Sequence, residues 1–157
     1  MPERRVGIVV VGGTVKIVDA EIPDDADDPI RILADDTWRL QEGGHPEAYE
    51  VIHRRCADYL KENNVARAVI KASELSGSTK LAHLESAELR GVIIAAAASA
   101  TEVTLMKKSV ISKTYGERKV DEYLKDDSFW DEQTEGIPLR KTSREAAMVL
   151  IASRNSK

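Results

Sequence analysis

Only one cysteine occurs in the chain, Cys56, so an intramolecular disulfide is excluded and a reducing, cytoplasmic setting is expected. Long hydrophobic runs are missing as well. The longest apolar stretch, Gly91–Ala98 (GVIIAAAA), is far short of the roughly 20 residues that cross a bilayer. The N-terminus lacks a charged start followed by an apolar core and a small-residue cleavage site, so secretion is not expected and no membrane partner is implied. Nor is there an excess of basic residues. The 23 Lys and Arg against 27 Asp and Glu give a net charge of −4, which argues against wrapping duplex nucleic acid by global charge. With no internal repeat, low-complexity tract or clear boundary, residues 1–157 are expected to form one domain, large enough to bury about two-thirds of its unfolded surface.

The charge that is present is uneven. Asp24–Asp28 (DDADD) is acidic, whereas Lys107, Lys108, Lys113, Arg118 and Lys119 cluster later and Arg140, Lys141 and Arg144 follow. An acidic average can hide a local basic groove, or it can describe ordinary solvated faces.

Apolar patterning carries more information. Arg5–Val11 (RVGIVVV) and Val15–Ala20 (VKIVDA) flank Gly12-Gly13 and predict a hairpin, and Ile30–Leu40 supplies a third strand. Pro46 introduces a helix over Glu47–Asn63, with Ile52, Cys56, Tyr59 and Leu60 on one stripe. Val65–Ala72 (VARAVIKA) reads as a buried parallel strand ending at Lys71. After the polar linker Ser73–Lys80, a long helix is expected over Thr79–Ala100. Its small-residue stripe is Leu84, Ala87, Gly91, Ile94 and Ala98. Gly91 costs roughly 1 kcal/mol of helix propensity, which predicts close packing there, on the sheet or on a second subunit. Glu102–Met106 is a short strand, and a weaker helical region follows, broken at Tyr115-Gly116. Asp126–Pro138 reads as a charged loop, and a last helix runs from Thr142 or Ser143, one of them its N-cap, to about Arg154. The order β-β-β-α-β-α-β-α predicts an α/β fold, with a five-stranded mixed sheet, Val65–Ala72 internal and helices on both faces.

Familiar chemical motifs are mostly absent. His45, His53 and His83 fall in different elements without metal-ligand spacing, and Asp24–Asp28 lacks the glycine and distal glutamate of a calcium loop. Gly12-Gly13-Thr14 lacks the lysine of a phosphate-binding loop, and Ser76-Gly77-Ser78 has no esterase elbow context. Cys56 reads as a small core residue. Phe129 and Trp130 either cap the core or offer a stacking or docking surface.

The order of elements resembles the ribonuclease-H-like superfamily, in particular its RuvC-like branch. The stretch VGIVVVGGTVKIV is similar to that family's first hairpin, ARAVIKASE to its central strand, and SAELRGVIIAAAASATEVTLM to its helix–strand pair. KKSVISKTYGERKVDEYLK resembles its lysine-rich segment and SREAAMVLIASR its last helix. The resemblance implies carboxylates on the first strand, the central strand and the last helix, which together hold two divalent ions. In this chain Val9 and Lys71 stand at the first two of those positions and Thr142 at a third, so only Glu145 retains an acid. Such a site is degenerate. Lys71 can pair with Glu145 or Glu74, stay solvated, or act as a base. Ser73, Glu74, Lys107 and Lys108, with Arg144, are expected near the same crevice at the strand ends.

Three functional classes follow. The first is a catalytically degenerate RuvC-like module associated with structured DNA or RNA, or regulatory. The second is a homodimeric interaction protein using the 79–100 helix, in keeping with the dimers typical of the resolvase-like branch. The third is a nuclease with a relocated metal site, using carboxylates such as Asp19, Glu74 or Glu145. Only this last class calls for a cofactor, magnesium or manganese.

Overall fold

The expected hairpin is formed by β1 (Glu3–Val11) and β2 (Thr14–Ile22), paired from Glu3–Ile22 to Val11–Thr14. Gly12 takes φ 58° at the turn, a left-handed conformation that costs glycine nothing. The computed structural model describes residues 2–42, 45–74, 80–115 and 119–155. Strand β3 (Ile30–Arg39) pairs antiparallel with β2, and α1 (His45–Glu62) leads to β4 (Arg67–Lys71), parallel to β1. Helix α2 (Leu81–Ala100) returns the chain to β5 (Glu102–Met106), which lies parallel to β4. Three short helices follow: α3 (Lys108–Tyr115), α4 (Val120–Leu124) and α5 (Asp127–Gln133). Strand β6 (Thr134–Gly136) and α6 (Arg144–Ala152) follow, with short 3-10 turns at Lys141–Ser143 and Ser153–Asn155 on either side of α6. The predicted helix start at Thr79, the Gly116 break, Arg118 and Ser76-Gly77-Ser78 lie outside the described residues.

The sheet has six strands in the order β5-β4-β1-β2-β3-β6, so β4 is internal as expected, but the count of five was one short. The extra strand comes from the segment expected to be a charged loop. Asp126 accepts a hydrogen bond from Phe129 N at 3.2 Å and caps α5, and Gly136, at φ 93°, lets β6 join the edge of β3. Trp130 is buried there and donates through Nε1 to Tyr123 O at 2.9 Å. Phe129 and Trp130 therefore belong to an aromatic core cluster with Tyr115 and Tyr123, and Trp130 offers no exposed stacking surface.

Two cores sandwich the sheet. Val6, Ile8 and Val10 of β1 face α1 and α2, while Val9 faces α6 and the short helices. That alternation is the two-residue period of a strand covered on both sides. Gly7 sets the depth of α6: a Cβ there would strike the Ala146 carbonyl oxygen and come within 2.9 Å of Leu150 Cγ. The helix thus rests directly on the β1 backbone.

Of the two partners expected for the small-residue stripe of α2, the chain's own sheet is not the one it meets. Leu89, Ile93, Ala96 and Ala97 are its buried residues, whereas Leu84, Ala87, Gly91 and Ala98 are exposed and Ile94 is half-buried. A Cβ on Gly91 would meet nothing within 4 Å, so no contact within the chain compensates for that glycine. Both stripes satisfy helical spacing on a helix rich in apolar residues all round, and periodicity alone cannot choose between them.

Candidate functional site: a cation-lined crevice at the strand ends

The apolar run of β4 ends at Lys71, one residue beyond the last β1–β4 rung, Ile8–Ile70, and opposite Met106 of β5. Its neighbours Val9 and Met106 are buried, so the lysine emerges from an apolar floor with its side chain 22% exposed. Lys71 Nζ donates to Glu145 Oε1 at 2.5 Å and lies 3.5 Å from Glu74 Oε1. Glu145 occupies the first turn of α6, where unpaired backbone N–H groups favour a negative side chain. An ammonium between two carboxylates is therefore held by charge on both sides.

Two lobes flank Lys71. The smaller, about 50 Å³, lies toward α6 and is lined by Lys108, Asp121, Glu145 and Met148 among others. The larger, about 350 Å³, opens over the ends of β1 and β4 toward α2, and includes Val10, Ser73, Glu74, His83, Ser86 and Arg90. Of the positions singled out in the sequence, Val9, Lys71, Ser73, Glu74, Lys108 and Glu145 line these two lobes. Thr142 is exposed on a short 3-10 turn, Lys141–Ser143. Lys107 is exposed and lines neither lobe, because Met106 takes the inward position and the Lys107 carbonyl accepts the first N–H groups of α3. Arg144 is not in the crevice either. It is buried, and its guanidinium donates to Leu124 O at 2.9 Å and Asp127 Oδ1 at 2.7 Å, tying α6 to the short helices.

Two further side chains were given no site role by the sequence; Arg90 lines the larger lobe and Asp35 lines neither. Asp35 of β3 accepts from Arg140 Nη2 at 2.9 Å and from Ser143 Oγ at 2.5 Å. Ser143 is the N-cap of α6, but its hydroxyl goes to Asp35 and not to the helix backbone, correcting the predicted capping role. Burial works to raise the Asp35 carboxyl, yet the hydrogen bonds from Arg140 and Ser143 outweigh it and hold it below its ordinary value. A register shift near Asp19/Ala20 turns Asp35 onto the α6 face, so two-residue alternation from Ile30 and Ile32 misplaces it. The other is Arg90 of α2, which donates through Nη1 to Ser73 Oγ at 2.6 Å and through Nη2 to Val10 O at 2.8 Å. In the sequence it is one arginine on a helix, with no partner at helical spacing to mark it.

The divalent ions implied by the resemblance do not fit this donor set. Hard cations need oxygen ligands. Val9 offers none, Lys71 places an ammonium where a ligand is needed, and Glu145 is already engaged by it. Among the described residues no three His, Cys, Asp or Glu side chains are grouped to hold a metal.

No protein-family model and no curated protein sequence matches the chain. Solved structures do. Thermus thermophilus RuvC is similar with a TM-score of 0.72 at 13% identity, over 95% of this chain and 92% of that one. The structure of T. thermophilus RuvC in complex with Holliday junction substrate matches at TM-score 0.68 and 13% identity, over 96% and 91%. The yeast mitochondrial Holliday junction resolvase Ydc2 matches at 0.59 and 12% identity, over 97% and 80%. These matches, with the sheet order, give the chain a ribonuclease-H-like fold. Within that class the fold is RuvC-like.

Proposed function

We propose that this chain is a single-domain, catalytically degenerate RuvC-like protein that acts as a nucleic-acid-associated or regulatory binding module. The observation that carries the reading is the Lys71–Glu145 contact at the end of β4. An ammonium in that place supplies the positive charge that a metal ion would supply, without a metal's capacity to activate water. Lys71 and Lys108, with Ser73, give the crevice donors for a phosphate backbone, and the solved structure of RuvC with a Holliday junction makes branched DNA the first partner to try. The test is binding of branched, duplex and single-stranded DNA and RNA across a salt series. Retention that weakens steeply with salt and favours one structure is expected. Failure of every nucleic acid to bind at low salt would refute the reading.

A second reading, self-association through α2, is supported by the exposure of Leu84, Ala87, Gly91 and Ala98. An open apolar groove of about 680 Å³ between α1 and α2, lined by Tyr49, Gly91, Val92 and Ala95 among others, continues that surface. Ala98→Trp should separate subunits in sedimentation while leaving circular dichroism unchanged, since the side chain has no core to disturb. A wild-type monomer throughout the micromolar range would sink the dimer.

A further inference from the structure

The two cations of the larger lobe are in different electrical situations. Lys71 forms ion pairs with both Glu145 and Glu74. Arg90 has hydrogen-bond partners but no counter-ion: its contacts are the Ser73 hydroxyl and the Val10 carbonyl, both uncharged. Among the described residues no carboxylate is close enough to form an ion pair with it. Its Nε is buried without a partner, and burial pulls the guanidinium down from its ordinary value while the charge of Glu74 works the other way. A partly desolvated cation with no carboxylate in direct contact is costly, and an anion arriving beside it recovers more of that cost than the more distant Glu74 does.

The surroundings specify which anion. Each terminal nitrogen of Arg90 spends one hydrogen on a protein acceptor and has another to give. Ser73 Oγ accepts from Arg90, so its own proton is available to a ligand, and His83 and Ser86 line the same lobe. Ser86 already gives its hydroxyl hydrogen to Gly12 O, so the donors left are the Arg90 N–H groups and the Ser73 hydroxyl, a set that suits a group with several acceptor oxygens. Among the described residues no Phe, Tyr or Trp lines the lobe to stack on a base. Glu74 is the acidic residue of the lobe, exposed and on a connecting segment.

We propose that Arg90, assisted by Ser73, makes this lobe a receptor for a single phosphate group, with Glu74 as the resident negative charge that the phosphate must displace. The inference rests on the nucleic-acid reading for the source of the phosphate, but not for its chemistry.

The experiment follows the backbone amide resonances of the isotope-labelled full chain, in wild type and variants alike, together with the Arg90 Nε–H resonance where the arginine is present. Inorganic phosphate is titrated first, followed by single-stranded oligonucleotides with and without a terminal phosphate. Saturable shifts are expected with phosphate. Glu74→Gln should tighten binding several-fold, and Arg90→Gln should weaken it about tenfold or more, the scale of a hydrogen bond to a charged group. Circular dichroism checks that Arg90→Gln stays folded, and Glu74→Gln tests the site while leaving the arginine in place. Equal phosphate binding by wild type and Arg90→Gln, or no tightening by Glu74→Gln, would overturn the proposal. If phosphate binds at Arg90 and no oligonucleotide competes, the site stands and the nucleic-acid reading fails. If oligonucleotides bind wild type and Arg90→Gln alike, the nucleic-acid reading stands and this site is refuted.

Discussion

Two cation–carboxylate pairs stand at opposite ends of the β1–β4 ladder and on opposite faces of the sheet. Beneath α1, Asp19 is fully buried and accepts from Arg4 Nε at 2.9 Å, Arg4 Nη2 at 2.6 Å and Tyr59 Oη at 2.6 Å. Beside α6, Glu145 is 30% exposed and engages Lys71, itself 22% exposed, at the junction of two open lobes. The first pair has its oxygens bound by a bidentate guanidinium and a hydroxyl, which fixes α1 against β1 and β2. The second holds one ammonium and keeps the rest of its surface toward a crevice. A sealed pair specifies packing. An open pair of similar chemistry leaves charge within reach of a ligand, which is why the proposed function is placed at Lys71 and not at Asp19.

The two pairs should differ most in what their loss costs the fold. Asp19→Ala strands the Arg4 guanidinium and the Tyr59 hydroxyl in a closed site and should cost about 3 kcal/mol in urea unfolding, the low end for a broken buried pair because Arg4 is partly exposed. A loss no larger than that of Glu145→Ala would erase the distinction. Gly7→Ala should cost about 2 kcal/mol by forcing α6 off β1, measured the same way, and should loosen the crevice wall with it. Lys71→Met should cost about 1 kcal/mol or less, since a partly exposed pair is screened by water. Lys71→Glu alone should create no cleavage, because Val9 and Thr142 still supply no acid.

The smallest effect is a pH dependence. The Asp35 carboxyl lies below its unfolded value of 3.8, so its contribution is fully present above that pH and is lost as pH falls through the folded value. Asp35→Asn should therefore flatten part of the acid limb of a stability–pH curve. An unchanged limb would show that the Arg140–Ser143 cage adds nothing.

Much of the architecture was legible because strand and helix periods were clean: β1 to β5, α1 and α6 follow from alternation, turn glycines and Pro46. What was not legible had physical causes. The Asp126–Pro138 segment is polar enough to read as a loop, and only the Asp126 cap and the buried Trp130 reveal a helix and a sixth strand. The inward face of α2 was ambiguous because two stripes had the same spacing. At the site, Lys71 was visible as a charge ending an apolar strand. Arg90 was not, since its meaning comes from Val10 and Ser73, which lie 80 and 17 residues away in sequence.

On the proposed reading, the crevice beside Lys71 holds a phosphate backbone without cutting it. The most direct test is incubation of the native chain with a labelled four-way DNA junction in magnesium or manganese, read for retention and scission in the same sample. The expected result is retention without scission at any metal concentration. Robust magnesium-dependent scission that disappears in Glu145→Gln would contradict it, because Glu145 would then be a metal ligand and not the counter-ion of Lys71.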